Sequence, residues 1–233
     1  MIASIKSYAN TLLQLFFPHN CLGCGSAVLN DEDLLCIQCI SGLPETNFFQ
    51  AQNNPVEKTF FGRLNIEAAG AAYYFTKDSL IQQLMIELKY KNNKAAGLFL
   101  GKMMGCMLLK TERFNDVDIL IPLPLNQKKE RKRGYNQAKI ICDGIASVIQ
   151  KPAIDTAVIR THFTNTQTNQ NRINRWQNME NVFDINNQQS IAGKHILLVD
   201  DVVTTGATLE ACGKSILQTG NVKLSVATAA YTI

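Results

Sequence analysis

The sequence predicts an α/β fold, a parallel sheet with helices on both faces, joined to a small cysteine-rich N-terminal unit. Three observations carry this expectation. Short apolar runs alternate with helical patterns through the second half of the chain, the order that builds parallel sheets. One run, Ile196 to Val199, is apolar without interruption, as a strand buried on both faces requires. Cys21, Cys24, Cys36 and Cys39 set out C-x2-C-x11-C-x2-C near the start. A chain of 233 residues with 46% hydrophobic content accommodates one main domain, residues 46–233, and an appendage, residues 1–45.

Met1 to Phe17 holds an apolar patch and one positive charge, Lys6. No small-residue cleavage site follows, so a packing helix is expected rather than a secretory signal. The cysteine knuckles come next. Two C-x2-C pairs bring four thiolates to tetrahedral distance around Zn2+, with Gly23 and Gly25 suited to the turn in the first. Two disulfides are the alternative, disfavoured in a chain without a signal peptide. Four protein ligands leave no open position, so the zinc is expected to be structural. His19 is a bystander, and Cys106, Cys142 and Cys212 are expected in the core.

Glu45 to Lys58 is polar and reads as a linker or surface loop. Ala68 to Phe75 reads as a strand. Leu80, Leu84, Ile86 and Leu88 mark a helix ending near Lys89-Tyr90-Lys91, and Ala95 to Leu109 a second. Val117 to Ile121 is a buried-type strand stopped by Pro122 and Pro124. Lys128-Lys-Glu-Arg-Lys-Arg133 reads as a charged loop, with an N-cap at Asn136 for a helix to Ile149. Ile154 to Ile159 is a strand, and Arg160 to Glu180 a loop or partly ordered helix. His195 to Val199 is a strand followed by a helix, and Lys223 to Ala230 closes the sheet.

The net charge of +4 is compatible with polyanions without demanding them. No apolar run approaches the ~18 residues of a membrane span. No G-x-G-x-x-G occurs, and Gly213-Lys214-Ser215 lacks the first glycine of a phosphate-binding P-loop. A cytoplasmic protein is expected.

The densest chemistry follows the apolar run. Asp200 and Asp201 place two carboxylates where the strand should leave the sheet. Such a pair repels unless it accepts hydrogen bonds or lies near a cation, and vicinal sugar hydroxyls with Mg2+ nearby would satisfy both. Thr204, Thr205, Gly206, Ala207 and Thr208 then enter a helix, whose unpaired N–H groups and dipole suit a phosphate. Phosphate on one side and diol on the other describe a phosphorylated ribose.

The run His195 to Thr208 resembles the phosphoribosyl pyrophosphate (PRPP) motif of type I phosphoribosyltransferases. That resemblance implies that Asp200 and Asp201 hold the ribose hydroxyls while Thr204 to Thr208 wrap the 5′-phosphate. Ile121-Pro-Leu-Pro124 through Arg133-Gly-Tyr-Asn-Gln-Ala138, with the zinc-ribbon spacing and Phe17-Pro18, resembles the ComF (ComFC-type) competence family. In related folds the loop after this strand binds pyrophosphate, which implies that role for Leu123, Pro124, Leu125, Asn126 and the basic run Lys128 to Arg133, with Arg133 or Arg160 neutralising the leaving group. The series Arg160-Thr161, Thr164, Gln167-Thr168, Arg172 and Asn181 is similar to a loop of that family that covers the sugar, with a departure at Gln170.

The resemblance implies two classes of function. One is a Mg2+-dependent enzyme that transfers phosphoribosyl from PRPP to a nitrogen nucleophile. The other is an accessory protein of DNA uptake that contacts single-stranded DNA and works beside a DNA-translocating helicase.

Overall fold

The computed structural model describes residues 20–27, 33–161 and 182–232. The N-terminal helix, Phe17-Pro18, His19 and most of the segment after Arg160 lie outside them. The chain forms two compact units, Met1–Pro44 and Glu45–Ile233.

In the first unit a turn follows Cys21, closed by Cys21 N–H to the Ser26 carbonyl at 2.7 Å and Gly25 N–H to the Cys21 carbonyl at 2.9 Å. A short helix α1, Ile37–Ser41, follows Cys36.

The second unit opens with a correction. Glu45 to Lys58 is not a linker: Phe48, Phe49, Asn54 and Val56 are buried, and α2 spans Pro55–Phe60. Asn54 explains why a polar stretch turns inward. Its Oδ1 accepts from Val56 N–H and Glu57 N–H, and its Nδ2 faces the Ala69, Ala51 and Phe48 carbonyls at 2.7, 2.9 and 3.0 Å. A side chain that satisfies this much backbone is stable out of water.

Strand β1, Ala68–Phe75, leads into α3, Leu80–Tyr90, and α4, Lys94–Leu108, capped by Ser79 and Asn93. Strand β2, Ile119–Pro122, follows. The basic run is not a loop but a helix, α5, Gln127–Arg133. Lys, Glu, Gln and Arg are good helix formers, Asn126 caps the start, and Gly134 at φ 81° ends it in the left-handed conformation. Helix α6, Gln137–Ile149, begins at the expected cap, Asn136.

Residues 154–159 also depart from expectation. Ala153 makes one parallel bridge to Leu120, after which the chain leaves the sheet. Val158–Arg160 (β3) pairs antiparallel with Phe183–Ile185 (β4) as a separate ribbon. Strand β5, His195–Val203, helix α7, Ala207–Leu217, and strand β6, Lys223–Thr232, complete the chain.

The main sheet is wholly parallel, in the order β1-β6-β5-β2. Helices α3, α4 and α6 contact one face, and α7 and α2 the other. On the α7 side Ile196 and Leu198 share a cluster with Leu209, Cys212 and Ile216. Leu197 and Val199, also fully buried, face the other way. Burying each such side chain contributes about 1.5–3 kcal/mol, so a one-residue slip of β5, which would reverse every side chain, is strongly disfavoured. Helices α4 and α6 cross closely: a Cβ on Gly101 would stand 2.1 Å from the Ile141 carbonyl oxygen and 2.8 Å from Gly144 Cα. Cys142 and Cys212 are buried as expected, whereas Cys106 is exposed on α4.

Candidate functional site at the carboxyl ends of the strands

Strand β5 is longer than expected, and its extra length carries the acids. Pairing with β2 ends at Pro122–Val199, where Leu123 N–H donates to the Val199 carbonyl at 2.8 Å. Pairing with β6 continues through Asp200–Thr228 to Val203–Tyr231. Asp200 and Asp201 therefore lie inside the strand, on an overhang with one neighbour instead of two.

Consecutive strand residues face opposite sides, and the two acids obey. Asp201 turns to the α3 side, where its Oδ2 lies 2.9 Å from Lys89 Nζ. Asp200 is on the α7 side, where its negative charge and the positive charge of Arg160 both act on the buried Cys212 thiol. Asp200 Oδ1 accepts from Asp201 N–H at 2.8 Å. Burial, and then the Asp201 charge, raise Asp200 well above the ordinary carboxylate range.

Downstream, Thr204, Thr205, Ala207 and Thr208 are exposed around a buried Gly206. Gly206 is the N-cap of α7, at φ 70°, and a Cβ there would stand 2.8 Å from Thr59 Cγ2 and 2.9 Å from Phe60 Cε1. Among the described residues no side chain caps this helix, so its first N–H groups have no side-chain acceptor. That arrangement can receive an anion. Arg63 fixes the bend from behind. Its Nη1 donates to the Thr59 carbonyl at 3.0 Å and the Thr205 carbonyl at 3.1 Å, and Nη2 pairs with Glu210.

On the other side of β5, Leu123 is buried and Pro124 and Leu125 are half-buried. Asn136 Nδ2 holds the Leu123 carbonyl at 2.9 Å. Pro124, Leu125 and Arg160 line a cavity of about 200 Å3 that also takes in Lys139. Arg133 is not part of it. Its guanidinium stacks over Tyr90 at 5.6 Å and donates to Gln137 Oε1 at 2.7 Å. The two candidate arginines thus stand apart: Arg160 with the Pro124 loop, Arg133 with the end of α3. Thr164, Gln167, Thr168, Arg172 and Asn181 lie outside the described residues.

A larger cavity, about 570 Å3, opens at the opposite ends of the strands beside His195 and Lys223. Size does not make it the site. The adjacent acids, the helix start without a side-chain cap and the tight glycine bend are all at the carboxyl ends, where open parallel sheets take their ligands.

In the N-terminal unit the four predicted cysteines come together, with sulfurs all within 4.8 Å of one another. Cys24 Sγ and Cys36 Sγ are 3.7 Å apart. That spacing is far too long for a disulfide and close to the roughly 3.8 Å edge of a tetrahedron with ~2.3 Å Zn–S bonds. Burial works against the Cys21 thiolate, but backbone hydrogen bonds from Cys24, Cys36 and Gly23 outweigh it and bring the thiol down to about 6. This donor set could hold zinc.

Lys89 and Arg63 are the site residues that sequence reasoning missed. Lys89 carried only the signal of a cation in a helix's last turn, and Arg63 carried none.

A family profile described as the phosphoribosyl transferase domain matches residues 132–232, a span holding both acids, the Gly206 bend, Arg133 and Arg160. The chain is 27% identical over 209 residues to the DNA utilization protein YhgH of Shigella flexneri, covering 88% of this chain and 87% of that protein. It is 30% identical over 118 residues to Competence protein F of Haemophilus influenzae, covering 50% of this chain and 52% of that one. Over 102 residues it is 30% identical to Competence protein ComFC of Bacillus subtilis, covering 44% and 39%. Together with the parallel sheet, its helices and the four-cysteine cluster, these likenesses support a ComF-type, phosphoribosyltransferase-like protein.

Proposed function

We propose that this protein binds PRPP at the carboxyl ends of β5 and β2 and transfers its phosphoribosyl group to a nitrogen nucleophile. The C1–O bond to pyrophosphate breaks, the C1–N bond forms, and the nitrogen loses a proton. One observation carries the reading: the acid overhang of β5 runs through the Gly206 bend straight into the uncapped start of α7. Asp200 and Asp201 orient the ribose, and the Thr204–Thr208 bend anchors the 5′-phosphate. Leu123 to Asn126 and Arg160 receive the pyrophosphate, and Arg133 supports its charge from the α3 side. Mg2+, accompanying PRPP, would supply further charge neutralisation. Zinc on Cys21, Cys24, Cys36 and Cys39 is structural.

Calorimetric titration with PRPP and Mg2+ tests the reading. Saturable binding that Asp201→Asn weakens supports it, and pyrophosphate release with ammonia or a nucleobase extends it to turnover. A protein that ignores PRPP at millimolar concentration overturns it.

A second reading rests on α5, which exposes Lys128, Lys129, Arg131 and Lys132 along one short helix. Relatives carry the names DNA utilization protein and competence protein, and a cationic helix can follow a phosphate backbone. In this reading the chain is a cytoplasmic accessory of DNA uptake that contacts single-stranded DNA and a translocating helicase, and PRPP is a regulatory ligand. Single-stranded DNA binding that weakens with salt and with neutralisation of Lys128, Lys129 and Arg131 would support it. No binding at low salt would remove it. No described helix is long and apolar enough to cross a membrane.

A further inference from the structure

The last turn of α3 reaches the site in three consecutive residues. The Leu88 carbonyl accepts from Tyr135 Oη. Lys89 Nζ lies 2.9 Å from Asp201 Oδ2, with only 20% and 16% of the two side chains exposed. The Tyr90 ring lies under the Arg133 guanidinium at 5.6 Å. The turn is itself anchored: Glu87 holds Lys91 Nζ at 2.8 Å and Asn93 Nδ2 at 3.2 Å, and its carbonyl accepts from Lys91 and Asn93 N–H. Lys94 lies over the Tyr135 ring at 5.2 Å. An anchored segment therefore links Asp201 to the Arg133–Tyr135 turn.

A lysine in the last turn of a helix serves the helix dipole equally well from solvent. Lys89 instead crosses to another element and loses most of its hydration, a placement that an apolar pair would fill with no loss of stability. Its partner is the one candidate acid on that face of β5. Asp200, on the other face, forms no ion pair among the described residues; it accepts the Asp201 N–H, and the Lys89 charge reaches it only through space.

We propose that Lys89 is a positioning residue for ribose recognition: its ammonium fixes the Asp201 carboxylate in one orientation, as an ionised acceptor for a hydroxyl of the sugar. The proposal rests on the phosphoribosyl reading of the site and deepens it. An ion pair leaves free carboxylate lone pairs, since the carboxylate accepts at about four positions and the lysine takes one. The bound sugar would add a hydrogen bond to a group already desolvated and aimed, without the entropy of ordering it.

The test separates the two edges of the ligand. Full-length protein is titrated with ribose 5-phosphate and with inorganic phosphate, and the ratio of the two affinities reports recognition of the sugar. Lys89→Met keeps the stem and removes the charge. It is expected to reduce that ratio about tenfold, the effect of losing one hydrogen bond to a charged group, with phosphate binding unchanged. Lys89→Arg should restore most of the ratio. A Lys89→Met protein with the wild-type ratio overturns the proposal, as does one in which both ligands weaken equally, which would mark Lys89 as merely structural. If Lys89→Met does not fold, Lys89→Gln carries the same comparison. Wild-type protein that binds neither ligand, or binds both alike, overturns the phosphoribosyl reading and this role together, a result distinct from an altered ratio.

Discussion

Asp201 N–H donates to Asp200 Oδ1 at 2.8 Å, while the two side chains leave β5 toward opposite faces. A single backbone hydrogen bond does not offset the burial of the Asp200 carboxyl beside a second negative charge, and its proton is held well above the usual range. The folded state therefore binds a proton that the unfolded chain releases above its ordinary value of 3.8. Stability contributed by this site is present at low pH and is lost as pH rises through the folded value. Asp200→Asn should consequently stabilise the protein at pH 7.5, by roughly 2–4 °C for each 1 kcal/mol in a chain of this size, and gain little near pH 4. Thermal melts at the two pH values check it. An equal or negative shift at pH 7.5 would mean that the carboxyl is already satisfied. The same substitution should weaken PRPP, the stability–function conflict usual in a binding site.

Gly206 stands at φ 70° with Thr59 and Phe60 where a Cβ would be. Gly206→Ala meets both a conformational and a steric penalty, and should cost about 1–3 kcal/mol in urea denaturation. Because the strain falls on the first turn of α7, phosphate affinity should fall in the fraction that remains folded. Gly25, at φ 74° with nothing near its Cβ position, supplies the control: alanine there incurs the conformational penalty alone.

The four sulfurs within 4.8 Å predict one zinc per chain by elemental analysis, released by a strong chelator. Cys24→Ser or Cys36→Ser should each lower the zinc content. Hydrogen exchange after chelation should accelerate in residues 20–44, with the strands of the second unit still protected. Loss of protection throughout β5 and β6 would show that the metal supports more than its own unit.

Much of this arrangement was legible because it is written in local pattern. The Ile196–Val199 run, the cap at Asn136 and the C-x2-C pairs each signal an element within a few residues of themselves. What escaped depends on partners distant in sequence. Asn54 reads as a loop residue until the Ala69 carbonyl is placed beside it. Arg63 acquires meaning only through Thr205, 142 positions on. The basic run was read by its charge, which says solvent, rather than by its helix propensity and caps. Strand β5 was ended at Val199 because acids usually terminate buried strands, yet the continued pairing with β6 carries them two residues inside. The positions of Asp200, Asp201 and the Gly206 bend still follow from the motif, since they are covalently consecutive.

His195, at the other end of β5, gives the opposite pH response to Asp200. Its Nε2 lies 2.9 Å from Ser225 Oγ, and its buried Nδ1 has no hydrogen-bond partner among the described residues. Burial holds its proton affinity below the ordinary 6.5, with Lys223 adding to the effect against Glu67, Asp116 and Asp118. Below pH 6.5 the unfolded histidine takes a proton that the folded one refuses, so stability falls with pH at up to about 1.4 kcal/mol per unit until the folded group titrates. Asp200 opposes this: from its raised folded value down to the ordinary 3.8, falling pH makes folding more favourable. Asp200→Asn should therefore unmask the histidine: its urea midpoint should drop more steeply between pH 7 and 5 than that of the native chain. His195→Leu in the Asp200→Asn background should flatten that drop, although it leaves Ser225 unpaired and lowers stability at pH 7. If the drop persists without His195, another group governs the acid limb.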